Sequence, residues 1–176
     1  MTLRQDYQWT GPKMDPPAIE PPLKVAIVPT PDFTLMSFSC LVEYLRLAAD
    51  ESDFSRQIYC SWSLLSQDDA PITSSCGISM LPTADMQNLD QYDFVVFHGG
   101  TLHSRKPVPQ YIYDGISQAV HKGVPVVGLC TGQFLLAEMG LLNGRKCAVH
   151  FSLEPALRRH FPEIIPISDQ TVVEDG

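Results

Sequence analysis

The sequence predicts an α/β fold: a doubly wound, mostly parallel sheet with helices on both faces and a small hairpin. Three observations predict it. Short apolar runs rich in β-branched residues fall at 24–28, 94–97 and 124–129. Segments with apolar residues at helical spacing lie between and after them. The chain has 176 residues, 44% of them apolar, which is enough for one domain with a full core.

Residues 1–23 read as a flexible tail, because Pro12, Pro16, Pro17, Pro21 and Pro22 interrupt a stretch without apolar periodicity. The domain is expected over 24–176. Lys24-Val25-Ala26-Ile27-Val28 reads as a buried strand, broken by Pro29-Thr30-Pro31-Asp32. Phe38, Leu41, Val42, Leu45, Ala48 and Ala49 mark an amphipathic helix. Ile58, Cys60, Trp62 and Leu64 alternate as in a strand, and Ile72-Thr73 with Ile78-Ser79-Met80 frame a hairpin around Ser74-Ser75-Cys76-Gly77. Phe94-Val95-Val96-Phe97 is the next strand and runs into His98-Gly99-Gly100. Ile112, Ile116, Ala119 and Val120 share a helical face that ends at Gly123. A strand over 124–129 leads to a helix carrying Phe134, Leu135, Leu136 and Met139. Cys147-Ala148-Val149 reads as a strand, 153–159 as a helix and Thr171-Val172-Val173 as a last strand. In such sheets ligands bind beyond the carboxyl ends of the strands. The 29–38 loop, His98-Gly99-Gly100 and Cys130 are therefore expected to converge.

Net charge is −8. An acidic balance argues against direct contact of this segment with nucleic acid or a membrane surface, and no apolar run approaches the roughly 18 residues of a membrane span. The five cysteines, Cys40, Cys60, Cys76, Cys130 and Cys147, include no CxxC pair and suggest neither a disulfide framework nor a zinc site. All but Cys130 read as small buried hydrophobes. The expectation is a reduced, cytoplasmic protein with no metal and no cofactor.

Gly128-Leu129-Cys130-Thr131-Gly132 has the form of a nucleophile elbow between a strand and a helix. The turn projects its central side chain above the sheet, and the following helix offers its amino-terminal amides to an anion or a thiolate. His98-Gly99-Gly100-Thr101 follows a strand, so backbone amides there could approach a ligand or an oxyanion, while His98 itself reads as structural. His150, at the end of a strand, is a candidate base or ligand contact. Glu43, Glu138 and Glu154 have no spacing for a triad and read as solvated helix residues.

Phe97-His98-Gly99-Gly100, Gly128-Leu129-Cys130-Thr131-Gly132, the run from Leu135 to Arg145 and His150 resemble the ThiJ/PfpI branch of the class I glutamine-amidotransferase-like superfamily. The sheet is then expected to be flavodoxin-like. The stretches 31–35 and 43–48 are most similar to the amino-terminal sensor domain of AraC-type transcriptional regulators. That resemblance implies several things at once: a small nitrogen-containing effector such as a betaine, carnitine or an amino acid; helix-turn-helix DNA-binding segments beyond residue 176; a chain that is a fragment of a longer protein; and a homodimer. It also implies a pocket of Ser37, Gly99, Gly100, Thr101, Cys130, Thr131, His150 and Phe151.

Departures from the enzymatic relatives sharpen this. His150 is followed by Phe151-Ser152 rather than by the x-Glu of amidotransferases, Thr131 stands where PfpI-type peptidases have histidine, and Ser37 occupies the position of the acid in hydrolases and isonitrile hydratases. A hydroxyl is no carboxylate base near neutral pH. The expectation is a non-enzymatic sensor. Two alternatives stay open: a cysteine-dependent hydrolase or isonitrile-hydratase-like enzyme using Cys130 and His150, and a redox sensor using a Cys130 sulfenate.

Overall fold

The structure, a computed structural model, describes residues 23–50, 56–102 and 106–175. The proline-rich tail expected at 1–23 lies outside them except for Leu23, which already opens the first strand. The elements in chain order are β1 (Leu23–Pro29), α1 (Leu35–Ala48), β2 (Cys60–Ser66), β3 (Ile72–Thr73), β4 (Ser79–Met80), β5 (Ala84–Asp85), β6 (Phe94–His98), α2 (Gln110–His121), β7 (Val126–Leu129), α3 (Gln133–Glu138), β8 (Lys146–Ala148), α4 (Glu154–His160) and β9 (Ile165–Ile167).

Five strands form one parallel sheet in the order β5-β2-β1-β6-β7. Strands buried on both faces need continuous apolar sequence, and β1 and β6 supply it. Ala26 and Val28 of β1, with Val95 and Phe97 of β6, pack under Ile112, Ile116 and Ala119 of α2 and Leu135 and Leu136 of α3. The alternate residues Val25, Ile27 and Val96 face the opposite layer, where Leu35, Phe38, Leu41, Val42 and Leu45 of α1 cover them. A single-residue alternation along two strands thus serves both cores. Phe134 and Ala137 form a third, smaller core with Cys147, Val149 and Leu157.

From β1 the chain crosses through α1 to β2 on one side, and from β6 it crosses through α2 to β7 on the other. The crossover direction reverses between β1 and β6, so a crevice opens at their carboxyl ends. The doubly wound sheet, the helices on both faces and the hairpin β3–β4 (Ile72 opposite Met80) stand as expected. Among the described residues no helix is long and apolar enough to cross a membrane.

Two expectations need correction. Thr171–Val173 is not a strand; Val172 is 79% exposed, and no strand pairs with this segment among the described residues. The strand lies earlier, at Ile165–Ile167, parallel to β8 in a two-stranded sheet of its own. Pro166 hides it from sequence patterning, because proline lacks the N–H that a central ladder needs, yet a strand with a free edge tolerates it. Strand β5, two residues long, carries no periodic signal at all. Of the four cysteines expected to be buried, only Cys60 and Cys147 are; Cys40 lies on the outer side of α1 and Cys76 in the hairpin turn, both exposed. No residue of α1 is fully buried, and Met36, Tyr44 and Leu47 are largely exposed.

The two-sided core makes a simple prediction. Phe97 is fully buried in the central sheet, so Phe97→Ala should lower the free energy of unfolding in urea by about 3–5 kcal/mol. Val172→Ala should stay within about 0.5 kcal/mol of the parent.

Candidate functional site

The three expected segments meet at the crevice through backbone hydrogen bonds. Thr30 N–H donates to the His98 carbonyl (2.8 Å), Thr34 N–H to Gly99 O (3.3 Å), and Gly99 N–H to Leu129 O (3.1 Å). Phe33 and Gly100 form an antiparallel bridge that extends this seam. The loop after β1, the end of β6 and the end of β7 are therefore one continuous backbone surface.

Cys130 sits at the apex with φ +57°. That left-handed conformation costs a non-glycine residue roughly 1–2 kcal/mol, and the surroundings hold it there. A Cβ on Gly132 would collide with the Phe97 carbonyl oxygen, and one on Gly128 would stand 2.6 Å from the Gln133 backbone nitrogen. The flanking glycines serve close approach; neither needs a positive φ. Gly99 and Gly100 play the same part, since side chains there would strike Thr131 and Asp32 respectively.

The Cys130 thiol is exposed. Its Sγ donates to the Thr34 hydroxyl at 3.6 Å. Thr34 occupies the cap position of α1, yet its side chain makes no capping hydrogen bond. A cap threonine normally satisfies a helix amide; here the hydroxyl faces the elbow instead. Thr131 Oγ1 donates to Gly100 O at 2.7 Å, tying the elbow to the Gly-Gly turn. A cavity of about 10 Å³, room for one water, adjoins the Gly-Gly turn, lined by Thr30, Gly99, Gly100, Thr101, Thr131 and Leu135 among others but not by Cys130 or Ser37.

Ser37, in the first turn of α1, makes two contacts: its hydroxyl lies 2.8 Å from His98 Nε2 and 3.1 Å from the Thr34 carbonyl. His98 has no exposed surface and packs edge-to-face against Phe33 and Phe38. Burial pushes its imidazole down to about 4. The structure thus joins Ser37, Gly99, Gly100, Thr101, Cys130 and Thr131 in one region.

His150 and Phe151 belong to a different local network. Nδ1 of His150 lies 2.8 Å from Ser152 Oγ and accepts from the Ser152 N–H at 3.3 Å. Its ring rests on Phe151 with centroids 4.3 Å apart, and Phe151 is 70% exposed. No hydrogen bond connects His150 with Cys130. The helix carboxylates have surface partners: Arg46 pairs with Glu43 (2.7 Å), Tyr113 donates to Glu138 (2.6 Å), and Arg158 pairs with Glu154.

Sequence reasoning missed Thr34 and the contact of His98 with Ser37. The available signal was local: a threonine capping a helix after a Pro-rich turn, with a serine three residues on. Nothing in the sequence distinguishes a cap that bonds its own helix from one that faces another segment.

A buried neutral histidine links stability to pH. The unfolded chain takes up a proton as pH falls through about 6.5, while folded His98 stays neutral until about 4. Its contribution is complete above pH 6.5 and is lost between 6.5 and 4. Urea unfolding across that window should show a decline of roughly 3 kcal/mol attributable to this group, and His98→Phe should flatten that part of the profile.

Comparison with known proteins agrees with this geometry. The model of the DJ-1/PfpI family matches residues 23–176. The chain is 32% identical over 149 residues to the HTH-type transcriptional regulator GbdR of Pseudomonas aeruginosa, covering 85% of this chain and 40% of that protein. It is 30% identical over 134 residues to the HTH-type transcriptional regulator CdhR of the same species, covering 76% and 38%. The crystal structure of an AraC family transcriptional regulator from Pseudomonas putida superposes with a TM-score of 0.68 at 21% identity, over 88% of this chain and 80% of that one. The chain spans about two-fifths of the length of the two curated regulators. The matched residues include the cysteine elbow, the Gly-Gly turn packed against it and all five strands of the main sheet, and the chain belongs to the DJ-1/PfpI family.

Proposed function

We propose that this chain is the effector-sensing domain of a cytoplasmic AraC-type transcriptional regulator. In this reading the cysteine elbow recognises a small nitrogen-containing metabolite, of the betaine, carnitine or amino-acid kind, without reacting with it. The observation that carries the reading is the Cys130 thiol hydrogen-bonded to the Thr34 hydroxyl, with Ser37 nearby and His150 turned to Ser152. Neither a carboxylate nor an imidazole is in hydrogen-bond contact with the sulfur among the described residues. Gly99, Gly100, Thr101 and Thr131 would complete the pocket. The regulators to which the chain is similar support the class of protein.

Effector binding acts by shifting an equilibrium between two arrangements of the regulator, as a homodimer or between domains, and requires different affinity for the two. DNA contact belongs to helix-turn-helix segments outside the residues described, in keeping with the net charge of −8. The alternative is a cysteine-dependent hydrolase or isonitrile-hydratase-like enzyme. The strained φ of Cys130 favours it, since a nucleophile elbow has the same backbone.

A thermal-shift screen with glycine betaine, carnitine and arginine separates the two. A ligand at about 100 times its Kd stabilises by about 2.7 kcal/mol, a rise of roughly 5–10 °C for a domain of this size. Cys130→Ser should retain at least half of that rise, with no turnover of isonitriles or amides by the parent. Turnover abolished by Cys130→Ser would overturn the sensor reading in favour of the enzyme.

A further inference from the structure

The polar atoms of His98, Ser37 and Thr34 form a chain whose direction follows from counting hydrogens. The Ser37 hydroxyl has one hydrogen and two neighbours, the Thr34 carbonyl at 3.1 Å and His98 Nε2 at 2.8 Å. A carbonyl can only accept, so satisfying both contacts requires Ser37 to donate to Thr34 O and to accept from Nε2–H. The opposite arrangement would place the ring hydrogen on Nδ1, which is buried and has no partner among the described residues. An orphaned buried N–H is rarer and more costly than an under-used acceptor. Both arguments assign the neutral ring its hydrogen at Nε2.

The same loop carries the acceptor of the cysteine. Thr34 contributes its carbonyl to Ser37 and its hydroxyl to Cys130. The carbonyl also receives the first helical hydrogen bond, from Phe38 N–H at 3.3 Å. The backbone that carries the Thr34 side chain is therefore held at its carbonyl, and the far end of that linkage is a ring with no exposed surface, boxed by Phe33 and Phe38.

We infer that His98 is a positioning residue of the cysteine site: through the Ser37 hydroxyl it fixes Thr34, and Thr34 keeps the Cys130 thiol engaged as a donor. The buried ring is the rigid anchor of this relay. Ser37 transmits it, and the thiol is the group it controls. A thiol engaged in this way is less open to an incoming electrophile than one released to solvent. The inference rests on the elbow being the functional site, and it adds to the pocket a residue that need never touch the ligand.

Alkylation by iodoacetamide, followed peptide by peptide by mass spectrometry, reads the relay directly. Exposed Cys40 of the same molecule serves as the internal reference. Ser37→Ala and His98→Phe should each raise the Cys130 rate relative to Cys40 at least threefold. The double variant should rise no further, because both substitutions break one linkage. Ser37→Thr keeps the hydroxyl and His98→Gln keeps a donor, so both should remain within twofold of the parent. A long-range ¹H–¹⁵N spectrum of the parent should show the His98 hydrogen on Nε2.

An unchanged Cys130 rate in folded Ser37→Ala overturns the inference. So does additivity in the double variant, or a hydrogen on Nδ1. Should His98→Phe fail to fold, Ser37→Ala and the ring spectrum decide alone. None of these readouts needs an effector. Loss of the relay with a normal ligand-induced thermal shift therefore refutes this inference alone, and an intact relay in a chain that binds no tested metabolite refutes the sensor reading alone.

Discussion

The site depends on a contact that contains no side chain. The carbonyl of Phe97 at the end of β6 lies against Gly132 so closely that a methyl group could not be inserted. This contact brings the carboxyl end of β6 under the turn after β7. With the two backbones fixed, Gly99 N–H meets Leu129 O, and Thr131 Oγ1 reaches Gly100 O. The left-handed backbone of Cys130 follows from the same constraint, because the chain must pass from strand to helix within a few residues above an occupied floor. The large hydrophobic layers on either side supply the rigidity that keeps this strain in place.

Two kinds of information in the sequence located these features. Apolar runs at 24–28 and 94–97 identify the buried central strands, since parallel strands covered on both faces use such uninterrupted sequence. The Gly-x-Cys-x-Gly spacing identifies the elbow, because its glycines stand where backbone segments approach. Both are local properties of the chain and survive inspection of residues alone. Convergence of the 29–38 loop, the Gly-Gly turn and the elbow follows from the rule that ligands gather at strand carboxyl ends, and the backbone hydrogen bonds place the three together.

What escaped sequence reading depends on pairing between distant residues. Ile165–Ile167 resembles a turn because of Pro166; only its position beside β8, with an edge left free, makes it a strand. Thr171–Val173 has strand-like composition but no partner among the described residues, and composition cannot supply one. Cys40 and Cys76 are chemically suited to burial, but the outer side of a helix and the tip of a hairpin leave them in solvent. At the site, Thr34 carries the signature of a helix cap and is used otherwise, while His98 meets Ser37 across 61 positions of sequence. Functional sites are where such local rules are expected to give way.

The loop after β1 is shared with the hairpin as well as with the elbow. Asp32 N–H donates to Thr73 O at 3.0 Å and Ser75 N–H to Phe33 O at 2.9 Å, so Asp32 and Phe33 are stitched to β3 and to the turn that follows it. Thr34, one residue further, touches the cysteine. Phe33, a fully buried ring, therefore lies at the junction of the loop and the hairpin. The hairpin turn thus reaches the loop that carries Thr34 through backbone hydrogen bonds alone, and Ser74, buried and bonded twice to the Ile78 carbonyl, closes the near end of that turn.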